Sequence, residues 1–275
     1  MGKANLADGM AERLARKDRW IVLAATGLIV ALAAAYTIAG VGMNMSALDM
    51  TRMARPIGQP MTMGAAPVWT ASYAALIFLM WWIMMIAMMT PSAAPLLLLF
   101  AAVKKRGTEA DKAAWLSLLC LAGYLAAWAG FSLVAVTAQW GLEAVGLSDG
   151  PMMTIRSRGF AGAVLVAAGL YQLSPIKDRC LSHCRSPIHF LTLNNRPGAR
   201  GAVLIGLHHG TYCLGCCWAL MALLFVGGVM NLYWIAGLAV YVLVEKMMPA
   251  GRWFARITGA GLVGYGLYLM PLPAV

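Results

Sequence analysis

The sequence predicts an all-α fold, a polytopic transmembrane helical bundle of about seven spans, and three observations predict it. Hydrophobic residues make up 61% of the 275 positions and charged residues 11%, with a mean hydropathy of +0.75; a soluble domain carries roughly 25% charged residues. Several apolar runs reach the roughly 20 residues that cross a bilayer. The basic residues gather in alternate connections, the pattern that orients helices in a membrane. Residues 1–19 then form a basic tail and 20–275 a single transmembrane helical domain, with the motif-bearing part at about 70–250.

The first span, 20–42, follows Lys3, Arg13, Arg16, Lys17 and Arg19 and has no clear cleavage site, so it reads as a signal anchor. The second, 70–103, is too long for a simple crossing; Pro91 and Pro95 predict a kink or an end there, because proline removes a backbone donor and clashes with the preceding turn. The third is 113–138. The fourth, 158–175, is short and rich in Gly and Ala. Spans 203–228 and 231–248 are joined at Met230-Asn231, which predicts a tight antiparallel hairpin, and 254–272 completes the set. On this map every Lys and Arg except Arg52, Arg55, Arg156 and Arg158 falls on one side. That bias places the N-terminus in the cytoplasm and the C-terminus outside. It also accounts for the net charge of +11 as a basic face against anionic lipid, with no nucleic-acid partner required.

The same map leaves no Asp, Glu, Lys or Arg deep in a span; Glu245 and Lys246 are expected at the cytoplasmic interface. Intramembrane carboxylates mark proton relays and ion-coupled carriers, so their absence argues against that class. The last span has no lysine to hold a retinal. No P-loop, Gly-x-Ser-x-Gly elbow, His-Glu-x-x-His motif, Cys-x-x-Cys-His motif or internal repeat is present.

The chemistry-bearing residues are the cysteines and histidines. Of 6 cysteines, all but Cys120 lie in two runs: Cys180-Leu-Ser-His183-Cys184, and His208-His209-Gly-Thr-Tyr-Cys213-Leu-Gly-Cys216-Cys217. Thiolate and imidazole are the ligands of zinc and Cu(I). His209, Cys213, Cys216 and Cys217 are spaced three and four apart, so they share one broad helix face. Cys216 and Cys217 are adjacent and point about 100° apart, so the site does not require both. Cys180 and Cys184 share a face if the chain continues as helix beyond Lys177. Two thiols from each run, or three with His209 or His183, make a tetrahedral zinc set, and a smaller subset suits Cu(I). The candidate ligands are therefore Cys180, Cys184, His209, Cys213 and Cys217, followed by Cys216, His208 and His183. A cytoplasmic location keeps such thiols reduced.

Methionine adds a further set of soft donors, with 20 in the chain. Met80, Met84 and Met88 step by four along the second span, beside a row of Met85 and Met89. Met61 and Met63 stand in the outer connection. Thioethers bind Cu(I) in an oxidising compartment, so a route from Met61 and Met63 through Met80, Met84 and Met88 to the cysteines can be drawn. Packing is the plainer role for such a stripe.

Several stretches together resemble a known family: Trp82-Ile-Met84-Met-Ile-Ala87-Met88-Met89-Thr-Pro91, Tyr171-Gln172-Leu-Ser-Pro175, Cys180-Leu-Ser-His183-Cys184-Arg185, Cys213-Leu-Gly215-Cys216-Cys217-Trp218 and Gly228-Val-Met230-Asn231. The chain resembles a bacterial family of predicted metal-binding integral membrane proteins, a domain of unknown function. The resemblance implies metal binding and a multi-pass place in the bacterial inner membrane, and no particular reaction. Three functions follow as expectations. The first is transport or delivery of a soft transition metal, Cu(I) or Zn, with the lipid bilayer, the metal ion and a metallochaperone or membrane complex as partners. The second is a membrane thiol or metal redox enzyme, with Cys213 and Cys216 as the dithiol. The third is a structural metal site in a membrane complex subunit.

Overall fold

The structure, a computed structural model, describes residues 2–41, 43, 45–57, 68–149, 153–194, 196–248 and 251–271, with side chains from Trp20 onward. It is helical nearly throughout. In chain order the helices are α1 (Gly2–Ala39), α2 (Ala47–Arg52), α3 (Ala71–Arg106), α4 (Ala113–Ala144), α5 (Arg158–Gln172), α6 (Pro175–Arg185), α7 (Pro187–Asn194), α8 (Gly198–Ala222), α9 (Leu224–Gly227), α10 (Leu232–Met247) and α11 (Gly251–Leu269). A short antiparallel ladder, Ser148–Asp149 with Thr154–Ile155, closes the α4–α5 connection. Side-chain oxygens start the helices where expected: Ser46, Thr70, Ser157, Ser174 and Asn231 each accept a first-turn N–H. Pro175 opens α6 at a position where its missing donor costs nothing.

Helices occupy all seven expected regions, yet fewer qualify as spans. Among the described residues four are long and apolar enough to cross a membrane: Trp20–Ala39, Ala71–Arg106, Ala110–Ala144 and Gly198–Gly227. The pair α5 and α6, bent by 61°, makes a fifth if taken as one broken span. α10 has 16 residues, about 24 Å at 1.5 Å per residue, which is short of a bilayer core of about 30 Å. α11 has 19 residues but carries Arg252, Arg256 and a run of glycines.

Two local expectations change. Pro91 and Pro95 do not end α3, which runs unbroken for 36 residues. Nearby hydroxyls close on the backbone instead, Ser92 Oγ and Tyr124 Oη both donating to the Met89 carbonyl, at 2.8 and 3.0 Å. The stretch after Lys177, expected as a loop with a possible helical extension, is the two helices α6 and α7.

The broadest helix contacts are α4 with α8 and α5 with α11. The α4–α8 seam depends on missing side chains. A Cβ on Gly206 would overlap the Cys120 carbonyl, and one on Gly210 would come within 2.6 Å of Ala127 Cβ. Gly206 and Gly210 are four apart, the small-x-x-x-small spacing that lets helix backbones touch. This close approach fixes which residues of α4 face the thiols of α8. At the polar end of the seam Glu109 joins three elements: Lys104 Nζ lies 2.7 Å from Oε2, and the Gly198 N–H donates to Oε1 at 2.7 Å. The Lys104 hydrogen bond first, and then the Gly198 one, hold the Glu109 carboxyl below its ordinary range.

Candidate metal centre

Three helices bring sulfur to one buried place. α8 contributes Cys213, Cys216 and Cys217, all buried. α6 packs along α8 so that Cys184 Sγ lies 3.9 Å from Cys216 Sγ. α3 contributes Met89, whose Sδ is 3.9 Å from Cys217 Sγ. Cys180, one turn before Cys184, rests against the α8 backbone; a Cβ on Gly215 would come within 2.7 Å of its sulfur. Tyr171 reinforces this docking by donating to the Gly215 carbonyl.

A polar network holds Cys213. Tyr124 Oη is 3.0 Å from Cys213 Sγ and, having donated to the Met89 carbonyl, has only lone pairs left to offer the thiol. Lys246 Nζ, from α10, reaches Cys213 Sγ at 2.9 Å and Ser92 Oγ at 3.0 Å. The other two α8 thiols are committed to backbone: Cys216 and Cys217 both donate to the Cys213 carbonyl, at 3.0 and 2.9 Å. Accordingly, no group of three or more His, Cys, Asp or Glu among the described residues is already closed round a point where a metal would sit. A change of χ1 rotamer is what separates either thiol from that carbonyl.

The three expected histidines have different surroundings. His183 stacks face to face on Tyr212, ring centroids 4.3 Å apart, and its Nδ1 is 2.9 Å from the Arg179 carbonyl. His208 lies 4.9 Å from the same Tyr212 ring and lines an open cavity of about 290 Å³ with Asn194, Arg196 and Thr211. His209 is the buried one, 2% exposed, packed 5.3 Å from Phe190 and 6.0 Å from Tyr124, with Nδ1 lacking a partner among the described residues. Met80, Met84 and Met88 are buried in α3 with Met85 and Met89. Met61 and Met63 lie outside the described residues. Cys120 is buried at the α4–α8 seam, where its carbonyl meets Gly206.

Charge is buried where α6 meets the end of α10. Lys177 and Glu245 are both 0% exposed and form an ion pair at 2.6 Å. Lys177 also donates to Gln172, whose amide donates to Tyr241 at 2.8 Å. Lys246 is 8% exposed. Glu245 and Lys246, both expected at the cytoplasmic interface, are buried against different partners, Glu245 against Lys177 and Lys246 against Cys213. Adjacent residues on a helix point about 100° apart, so each meets a different neighbour, and that geometry was available from the sequence. Tyr124 and Ser92 gave no comparable signal, since nothing local marks a tyrosine or serine as facing a cysteine on another helix.

The donor set is soft, being thiols with a thioether alongside, and a soft set of this kind favours Cu(I). A family model described as PpoB2, a copper chaperone, matches residues 78–269. No curated protein and no solved structure matches the chain.

Proposed function

The chain belongs to the PpoB2 family, described as a copper chaperone, and we propose that it holds Cu(I) within a bacterial inner membrane and passes it to another protein. Cys184 and Cys216 are the principal ligands in this reading, with Cys213 and Cys217 beside them and Met89 as a neutral sulfur donor. The observation that carries it is the meeting of α6, α8 and α3 at sulfur. Cys184 Sγ and Cys216 Sγ are 3.9 Å apart, about the spacing of two sulfurs that share one metal at roughly 2.3 Å each. A thioether 3.9 Å from Cys217 favours copper over zinc, which rarely uses such a ligand. Seven crossings, with the N-terminus inside, would place the thiols in the cytoplasmic half of the bilayer, where they stay reduced. α10 and α11 would then cross only with the bilayer thinned or with partner helices beside them. A reporter fused at Val275 and another after Arg196 test that orientation.

The direct experiment is metal analysis of full-length protein purified in mild detergent under reducing conditions, followed by titration with Cu(I) against a coloured chelator. One Cu(I) per chain, lost in Cys184→Ser and in Cys216→Ser but kept in Cys120→Ser, is the expected result. Equal copper in all three variants, or none in the wild type, would end the proposal.

A further inference from the structure

We infer that Lys246 is the specificity determinant of the sulfur site, a fixed cation that makes it accept a singly charged metal in preference to a divalent one. The inference rests on the proposed copper site.

The Lys246 side chain is buried, and its ammonium touches Cys213 Sγ and Ser92 Oγ. Among the described residues no carboxylate pairs with it: the neighbouring Glu245 is taken by Lys177 at 2.6 Å. The hydrogen bonds assign themselves in one direction. Ser92 and Tyr124 donate to the Met89 carbonyl, the Cys213 thiol donates to the Tyr124 oxygen, and the ammonium donates to the Cys213 sulfur and the Ser92 oxygen. All of those acceptors are neutral. A buried cation whose partners are all neutral is costly, because desolvation is repaid well only by an opposite charge.

A bound metal can supply that charge, and its valence decides whether it does. Cu(I) held by the Cys184 and Cys216 thiolates is a complex of net charge minus one. With the Lys246 ammonium the whole is neutral. Zn(II) on the same two thiolates is already neutral and leaves the ammonium uncompensated. A third thiolate would be needed to restore balance, and the other α8 thiols are Cys213, engaged by Tyr124 and Lys246, and Cys217, which faces Met89. In a low-dielectric interior that difference of one charge weighs heavily on which ion stays.

The test uses full-length protein in detergent under reducing conditions. Affinities for Cu(I) and for Zn(II) are each measured by competition with a chromophoric chelator, in the wild type, Lys246→Met and Lys246→Arg. Lys246→Met should lower the preference for Cu(I) over Zn(II) by at least about tenfold, the lower end of coupling measured between close buried charges. Lys246→Arg should keep most of the preference, because it keeps the charge. If Lys246→Met does not accumulate, Lys246→Gln serves, since its amide can still donate to Ser92. An unchanged preference in the neutral variant, or a parallel fall for both metals, would overturn the inference while leaving the copper site standing. A wild type that takes up no Cu(I) would remove both.

Discussion

Two of the buried polar regions of the bundle differ in how their atoms are satisfied. Toward the C-terminal end of α4, Trp81 Nε1 donates to Gln139 Oε1 at 2.9 Å, Gln139 Nε2 donates to Glu143 Oε1 at 3.0 Å, and Trp69 Nε1 donates to Glu143 Oε2 at 2.7 Å. Donors and acceptors along that chain match one for one, and it runs from the interior out to partly exposed Glu143 and Trp69. At the sulfur end two thiols share one carbonyl, an ammonium rests on a thiol, and His209 Nδ1 has no partner among the described residues. Native proteins satisfy nearly all buried polar atoms, so an undersatisfied cluster calls for a reason where a satisfied one does not. The tryptophan relay is there to hold helices. The sulfur cluster leaves polar atoms without matched partners.

Substitutions should separate the two regions most sharply in metal content. Cys184→Ser or Cys216→Ser should take bound copper from about one per chain to below about one tenth while leaving thermal unfolding little changed, since essential thiolates act as a unit. Trp81→Phe should do the reverse. It leaves Gln139 Oε1 without its buried donor, at a cost of about 1–3 kcal/mol seen as a lower unfolding temperature, with copper content retained. Copper loss in both, or in neither, would mean the regions are not distinct.

Gly206→Ala should lower stability while leaving every side chain of both regions in place. The new methyl overlaps the Cys120 carbonyl and forces α8 from α4, at a cost of about 3 kcal/mol, read from detergent unfolding. Among the methionines the expected effect is smaller and selective. Replacing Met80, Met84 and Met88 together with Leu nearly preserves volume, about 1.5 kcal/mol or less at each position. Copper held by the purified protein should be unchanged, whereas Met89→Leu should speed its removal by a chelator severalfold, an effect well under that of losing a thiolate. Identical chelator kinetics in the two variants would detach Met89 from the site.

The smallest effect lies outside both regions, at Glu109. Its carboxyl is held below the ordinary range by Lys104 and the Gly198 N–H, so its contribution to stability is present above the unfolded pKa and is lost as pH falls through the folded one. Unfolding followed across mildly acidic pH should show a shallow decline in the wild type that is flatter in Glu109→Gln. Parallel curves would exclude Glu109 as its source.

What the sequence disclosed follows the reach of each signal. Helical periodicity is local, so the all-helical fold and the shared face of Cys213, Cys216 and Cys217 could be read directly. A shared face for Cys180 and Cys184 was conditional on a helix, because the run from Lys177 to Arg185 is too polar to announce a buried helix. His183 and His208 stand against the rings of Tyr212 and Phe190, neighbours that no local signal in the sequence names. The Gly206-x-x-x-Gly210 step was present in the sequence and would have announced the α4–α8 seam. Lys246 gave no sign of its partner, since nothing local marks a lysine as facing a cysteine on another helix.

The α4–α8 seam also bears on whether the site could be transplanted. A metal loop of closely spaced ligands can be cut out and grafted, because its geometry is written in a few consecutive residues. Here Met89 and Ser92, Tyr124, Cys184, the α8 thiols and Lys246 arrive from five helices, and their meeting depends on two backbones touching at glycine. Such a centre has high contact order and forms only once the last helix has docked. A peptide spanning Cys180 to Cys217 would carry five of the six cysteines and still lack Met89, Tyr124 and Lys246.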